Sequence, residues 1–570
     1  DTNRPRRMPG PIPIRRPFSA LFPVLVAAFA APAQAPAPAE VAPDAPRAVE
    51  PPAAMRSIEK DELLRHATFL ASEELGGRLT GSPGQEAAAK YIAEHFAELG
   101  LEPLGDPVAE GDERDAAGAR SFYQRYGIQR TFVTDATRLV VGDLEMADGF
   151  AVLGGRETTA DVKGKVRFCG FGRTRGSSAD VPEDESLEGV IAVVAVKGPR
   201  GRVPKEPTVE QKFGLSFGTF GMLGRTSSAL AKKGAAAVLF VMHDDPIGLA
   251  DVLNYLALAP GKDTIEANFP GADPGMGGLG RMAGGGEVPT LVLSVPASKA
   301  LLGELGVDLD AYVAYVDGDG ELPSGRDGTA GALRLVVEHD ADATACNVVA
   351  VLRGSDPELA DEAVVYSAHM DHVGRRIDGD VFNGADDNAS GSAGLLAIAG
   401  AFARAETRPR RSVVFLSVSG EELGLWGSQY YSDHPTWPLD KIVADVNTDM
   451  IGRSGPESGP MEVTVTPSYR HPKYSTLVRD AQRFAAELDM SFSPGDKYYM
   501  RSDHFNFARK GIPVVFFCNG EHEDYHQVTD HADKLDGDKM QRIARLAFWT
   551  GWHAANADEA PQALGRQEAW

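Results

Sequence analysis

His369-Met370-Asp371, Asp386-Asp387, Glu421-Glu422, Asp449 and Tyr525-His526 form an ordered series of imidazole and carboxylate groups. Such donors bind divalent cations, and the series reads as the site of a two-metal hydrolase. An isolated His-x-Asp is an ordinary loop feature. Here His369 can give one ring nitrogen to a cation while Asp371 accepts the N–H of the other, which fixes the tautomer and raises ligand basicity. The turn from Asn383 to Gly391 can cap a helix over 392–403 with its Asn and Ser side chains, but capping leaves two consecutive carboxylates unexplained. One carboxylate can bridge two cations about 3.5 to 4 Å apart and offset their repulsion, and Asp386 is the candidate bridge. Glu421-Glu422 alone reads as an acidic helix start. Beside a metal pair, adjacent glutamates can divide labour, one holding a cation and the other moving a proton.

These groups need elements that converge. Apolar runs at 364–368, 413–417, 442–446 and 513–517 lead toward His369, Glu421, Asp449 and His526 respectively. From Asn347 to about Ala555, strands alternate with helical patterns, which predicts an α/β fold with a mainly parallel mixed sheet covered by helices on both faces. Functional groups in such sheets collect beyond the carboxyl ends of the strands. Upstream, Asp61 to Leu70 and Ala88 to Leu99 carry helical apolar spacing, with Gly100 ending the second run. His66 and His95 are expected on helix faces, His243 at the surface, His372 solvated or hydrogen-bonded, and His504 in a structural role. Residues 136–340 have a different texture, short β-rich runs punctuated by Gly and Pro, and read as a separate strand-rich domain with one helix-to-strand unit at 227–241. The glycine-rich stretch 271–286 reads as a surface loop.

Composition sets the frame around these elements. The chain has 570 residues, 43% hydrophobic and 24% charged, enough for two folded domains with flexible ends. Its formal net charge of -24 and the lack of a basic stripe with interleaved aromatics argue against a nucleic-acid partner, because phosphate binding needs clustered Lys and Arg. Three scattered cysteines form neither a disulfide framework nor a Cys-based metal site. Arg6, Arg7, Arg15 and Arg16 precede an apolar run from Phe18 to Ala31, so 1–33 reads as a signal peptide cleaved after Ala33. Export to the periplasm or the medium is expected, with no stable membrane span after signal removal. Residues 34–56 read as a Pro/Ala-rich linker, 57–135 and 341–555 as the two parts of the catalytic domain, 136–340 as its insertion, and 556–570 as a polar tail.

The order and context of the five His and acid blocks resemble the co-catalytic di-zinc aminopeptidases related to bacterial leucyl aminopeptidase, glutamate carboxypeptidase and the transferrin receptor. The likeness covers 57–135 and 341–555, and the insertion is similar to a protease-associated domain, with Lys233 to Val238 matching its usual helix-strand segment. The resemblance implies a zinc exopeptidase fold and two Zn2+ ions, one held by His369 and Asp449, the other by Glu422 and His526, with Asp386 bridging. It also implies Glu421 as general base, Asp371 behind His369, a cis Asp386-Asp387 peptide and Tyr499 as oxyanion partner. The expected activity is that of an exported aminopeptidase acting on peptides through a metal-bridging hydroxide. Carboxypeptidase or glutaminyl cyclase chemistry is the alternative on this scaffold. A non-catalytic receptor-like module is the other, although such modules lose the metal ligands that are all present here.

Overall fold

Four parallel strands carry the candidate site in the computed structural model, which describes residues 53–108, 119–153, 158–196, 209–245, 249–272, 287–318, 320–326, 328–456 and 458–570. The expected signal peptide, most of the expected linker and most of the 271–286 loop lie outside the described residues. Strand Ala363–His369 runs between Ser412–Val418 and Ile442–Thr448, and Val514–Cys518 continues the parallel run beyond the latter. Antiparallel strands close both sides, Thr344–Leu352 against Ser412–Val418 and Glu462–Thr466 against Val514–Cys518. Three of the four central strands are buried along their whole length and the fourth nearly so, which is why they read as unbroken apolar runs.

Alternate side chains feed two layers, as a period of two requires. Val364 and Tyr366 join the core beneath helices Lys60–Leu70, Pro83–Glu98, Gly391–Ala403 and Gly537–Asn556. Ala363 and Val365 face the opposite layer, with Tyr431 and Phe507 from helices Trp426–Asp433 and His504–Arg509. The helix at Pro83 starts where proline can sit without losing a bond, and the Ser82 hydroxyl accepts from the Gln85 amide at 3.2 Å. This is the mainly parallel α/β sheet with helices on both faces that the sequence predicts.

Strand Tyr123–Val133 belongs to two sheets. Tyr123 to Gly127 pair with Thr344 to Val348, while Ile128 to Thr131 pair with Thr264–Ala267 of the inserted lobe. That lobe has its own parallel run, Thr158–Phe168, Val190–Ala195, Ala237–Val241 and Thr290–Leu293, and Thr329–Asp340 lies antiparallel to the first. Its described residues also include four helices, among them Val209–Ala231, where the sequence pattern suggested only one short helical piece. Gly214, Gly218, Gly221 and Gly224 interrupt the helical signal there, since glycine is a weak helix former that tertiary packing overrides.

The segment expected as a polar tail is docked: Ala563 pairs with Ser475, and the Trp570 ring lies 5.0 Å from Tyr469 and 5.4 Å from Phe492. Ala53–Ser57, across the end of the expected linker, is a short 3-10 helix with Met55 buried. Among the described residues, no helix is long and apolar enough to cross a membrane.

Candidate metal centre

His369 ends its strand, and its Nε2 lies 3.3 Å from Asp449 Oδ1, 3.5 Å from Asp387 Oδ1 and 4.0 Å from Glu421 Oε2. His526 Nε2 lies 3.0 Å from Asp387 Oδ2 and 2.9 Å from Glu422 Oε2. His372 Nδ1 adds a 2.7 Å contact to Glu422 Oε1. Two donor clusters result among the described residues: His369, Glu421 and Asp449, and His372, Asp387, Glu422 and His526. Asp387 sits between them with one oxygen turned to each histidine.

The place between the two clusters expected for Asp386 is thus occupied by Asp387 instead. Asp386 faces the other way: Oδ1 accepts from the Gly452 amide at 2.6 Å, and Oδ2 lies 3.2 Å from His522 Nε2. The backbone amides of both aspartates donate to Asp530, which fixes this orientation. The cis peptide is likewise Asp387-Asn388 rather than Asp386-Asp387.

Tyr499 is corrected as well. Its ring packs 4.0 Å from His471 and 5.9 Å from Phe505, while Tyr498 lines the cavity that holds Asp387, Glu421 and Asp449. Tyr499 follows the Asp496–Tyr498 turn as its C-cap, and of the two rings Tyr498 is the one that lines this cavity. His372, expected to be solvated or hydrogen-bonded, is buried against Glu422.

Asp371 lies behind His369, with Oδ1 3.7 Å and its own carbonyl 3.2 Å from His369 Nδ1. Its carboxylate also accepts from the Thr80 hydroxyl at 2.9 Å and the Glu421 amide at 3.3 Å. Thr80 belongs to a segment whose role the sequence did not disclose. Arg78, fully buried, donates to the carbonyls of Leu70, Met370, Asn383 and Gly384, tying the loop before Asp387 to the end of the His369 strand. The available signal was the Arg-Leu-Thr-Gly-Ser run between two helices, polar where a plain connection would suffice.

Electrostatics divide the two adjacent glutamates. Burial raises the Glu421 carboxyl well above its usual range; His369 opposes this, and Glu422 and Asp449 reinforce it. Burial acts on Glu422 in the same sense, yet His526 and His372 pull it well below the usual range. His526 rises to about 10 against the effect of burial, because Glu422 and Asp387 hold its proton. His369 also rises against burial, through Asp449 and Glu421. The clusters thus attract positive charge strongly. His369 Nε2 and Asp449 Oδ1 are buried without hydrogen-bond partners although they face each other, as two ligands of one cation would. Imidazole nitrogen with carboxylate oxygen suits zinc and similar divalent ions.

Residues 347–550 match the model of Peptidase family M28. Leupeptin-inactivating enzyme 1 of Streptomyces exfoliatus is 31% identical over 204 residues, 36% of this chain and 42% of that protein. Aminopeptidase YwaD of Bacillus subtilis is 25% identical over 236 residues, 39% of this chain and 48% of that protein. The chain spans about half the length of these curated relatives. Among solved structures, BSAP, a zinc aminopeptidase from Bacillus subtilis, superposes with a TM-score of 0.50 at 18% identity, over 88% of this chain and 97% of that one, a likeness of fold. The segment that supplies every residue of the two donor clusters belongs to peptidase family M28.

Proposed function

We propose that the chain is an exported, zinc-dependent aminopeptidase that removes N-terminal residues from peptides and works with two zinc ions. The observation that carries this reading is Asp387, whose two oxygens face two separate His-carboxylate clusters with Glu421 alongside. His369 and Asp449 would hold one ion, Glu422 and His526 the other, and Asp387 both. Zinc, when bound, supplies Lewis-acid polarisation of the scissile carbonyl and lowers the pKa of water toward neutrality.

The remaining work falls to side chains of this chain. Glu421 lines the cavity, belongs to no histidine pair as close as that of Glu422, and is raised by burial, so it is suited to take a proton from water and pass it to the departing amine. Tyr498 is in the same cavity wall, and its hydroxyl, which accepts from the Glu521 amide at 3.3 Å, is a candidate donor to the developing oxyanion. Arg501 also lines this cavity, but its guanidinium is engaged by Glu521 at 2.5 Å, which favours an aminopeptidase over a carboxypeptidase with a free basic clamp. Residues 1–33 act as the export signal in this reading, and the inserted lobe is a protease-associated domain.

The test compares free and N-acetylated peptides, with wild type, Glu421→Gln and chelated protein. Cleavage of free peptides only, restored by zinc after chelation and reduced about 10²- to 10⁴-fold in the variant, is expected. Equal cleavage of both substrates overturns the aminopeptidase assignment, and full turnover by Glu421→Gln overturns the proton role. Exported protein should begin at Gln34.

A further inference from the structure

The inserted lobe reaches the centre through one buried lysine. Ala259-Pro260-Gly261-Lys262 forms a tight turn, in which the Lys262 amide donates to the Ala259 carbonyl at 2.9 Å and the Ala259 amide donates back at 3.0 Å. Pro260 stands at the second position and Gly261, with φ +75°, at the third, where a type II turn requires positive φ. Lys262 follows at the fourth, just before strand Thr264–Ala267, which is hydrogen-bonded to the strand shared by both lobes. The turn is thus held in a fixed relation to the catalytic sheet.

From this turn, Lys262 crosses to the other lobe. It is 6% exposed, and its Nζ donates to the Val373 carbonyl at 3.2 Å. The adjacent acid, Asp263, is paired with Arg130 at 2.5 Å. Burying an ammonium to bond one carbonyl is costly, and a methionine would fill the same space without desolvating a charge. Val373 directly follows His372, whose Nδ1 contacts Glu422 Oε1 at 2.7 Å. The segment 372–374 is also held by the N-terminal part of the catalytic lobe, with the His372 amide donating to the Arg78 carbonyl and the Gly374 amide to the Gly77 carbonyl. Burial lowers the Lys262 pKa to about 8, with Asp263 and Glu422 opposing that shift, so the ammonium lies within the field of Glu422.

We propose that Lys262 is a positioning residue supplied by the inserted lobe: by clamping the Val373 carbonyl it holds His372 against Glu422 and so orients a ligand of the metal centre. The proposal rests on Glu422 as a zinc ligand. Partners that orient ligands typically change metal affinity by about 10- to 100-fold.

Zinc affinity, read by competition with a chelating indicator, is measured for wild type, Lys262→Met, His372→Phe and the double variant. Lys262→Met should bind zinc about tenfold or more weakly. The double variant should be no weaker than His372→Phe, because the lysine acts through the histidine. Lys262→Leu replaces the methionine variant if that protein fails to fold, with the same expectation. Affinity at or above the wild-type level in the Lys262 variant, or a loss that adds to that of His372→Phe, overturns the proposal. A wild type with no zinc affinity overturns the zinc reading and this proposal together, whereas normal wild-type affinity with an unaffected Lys262 variant overturns the lysine's role alone.

Discussion

Asp387 gives one oxygen to each histidine cluster, whereas Asp386 commits its carboxylate to the Gly452 amide and His522. Asparagine at the two positions should therefore fail differently. Asp387→Asn is expected to lose zinc and all measurable turnover. Asp386→Asn should keep its zinc stoichiometry and lose about 1.5 to 3 kcal/mol of stability, the usual worth of a charge-assisted hydrogen bond. Metal analysis beside denaturant unfolding separates the two, and equal zinc loss would return Asp386 to the bridge.

The histidines also set a pH dependence. His526 is raised from 6.5 to about 10, so its contribution to the stability of the metal-free protein is complete below pH 6.5 and is lost as pH rises through about 10. Glu422 is depressed, so its contribution is present above 4.5 and is lost as pH falls below that. Chelated protein should accordingly gain the full benefit of the pair between these values and melt at lower temperature toward pH 10. Zinc must displace the proton on His526, so the rise in Tm on adding zinc should grow with pH. A zinc-induced rise that is flat from pH 6 to 9 would contradict this.

Arg78 lies between a helix end, a strand end and the loop that delivers Asp387, and four carbonyls depend on its guanidinium. Arg78→Leu removes the guanidinium donor from the buried Leu70, Met370 and Asn383 carbonyls, while Gly384 keeps the Ala389 amide at 3.1 Å; at about 1 to 3 kcal/mol for each acceptor left unpaired, before relaxation, the change should reduce stability by about 3 kcal/mol or more. Urea unfolding of the variant measures this, and a loss below 1 kcal/mol would mean that the loop is held by other contacts. The central strands were legible in the sequence because burial on both faces leaves unbroken Val-rich runs: the expected 364–368 is observed as 363–369 and the expected 413–417 as 412–418. The choices between Asp386 and Asp387, and between Tyr498 and Tyr499, were not legible. Both pairs lie in turns without a regular period, where the neighbour that captures one side chain, Gly452 or His471, comes from a distant segment. Arg78 escaped for the same reason, since three of its four partners lie 292, 305 and 306 residues away.

At the scale of the molecule, the two sheets share material rather than merely touching. Strand Tyr123–Val133 pairs in both, Ile377 of the catalytic lobe packs within the inserted lobe's core, and Tyr126, Phe269 and Tyr430 form an aromatic cluster across the seam. Unfolding either lobe alone would expose Ile377 or strip Tyr126 of its neighbours and of its hydrogen bond to the Ser419 carbonyl. Each event adds apolar exposure of about 25 cal/mol per Å², which couples the two halves. Thermal unfolding should therefore be a single transition, and a ligand that binds one lobe should move all of it. The sequence supplies a convenient reporter: all five tryptophans, at 426, 437, 549, 552 and 570, lie in the catalytic lobe. Tryptophan fluorescence then follows that lobe alone, whereas the far-ultraviolet circular dichroism signal follows both. Coincident melting curves, shifted down together by a chelator, are the expected result. A dichroism step that precedes the fluorescence step and ignores the chelator would mean that the inserted lobe opens by itself, and that its hold on the Val373 carbonyl is released before the metal centre unfolds.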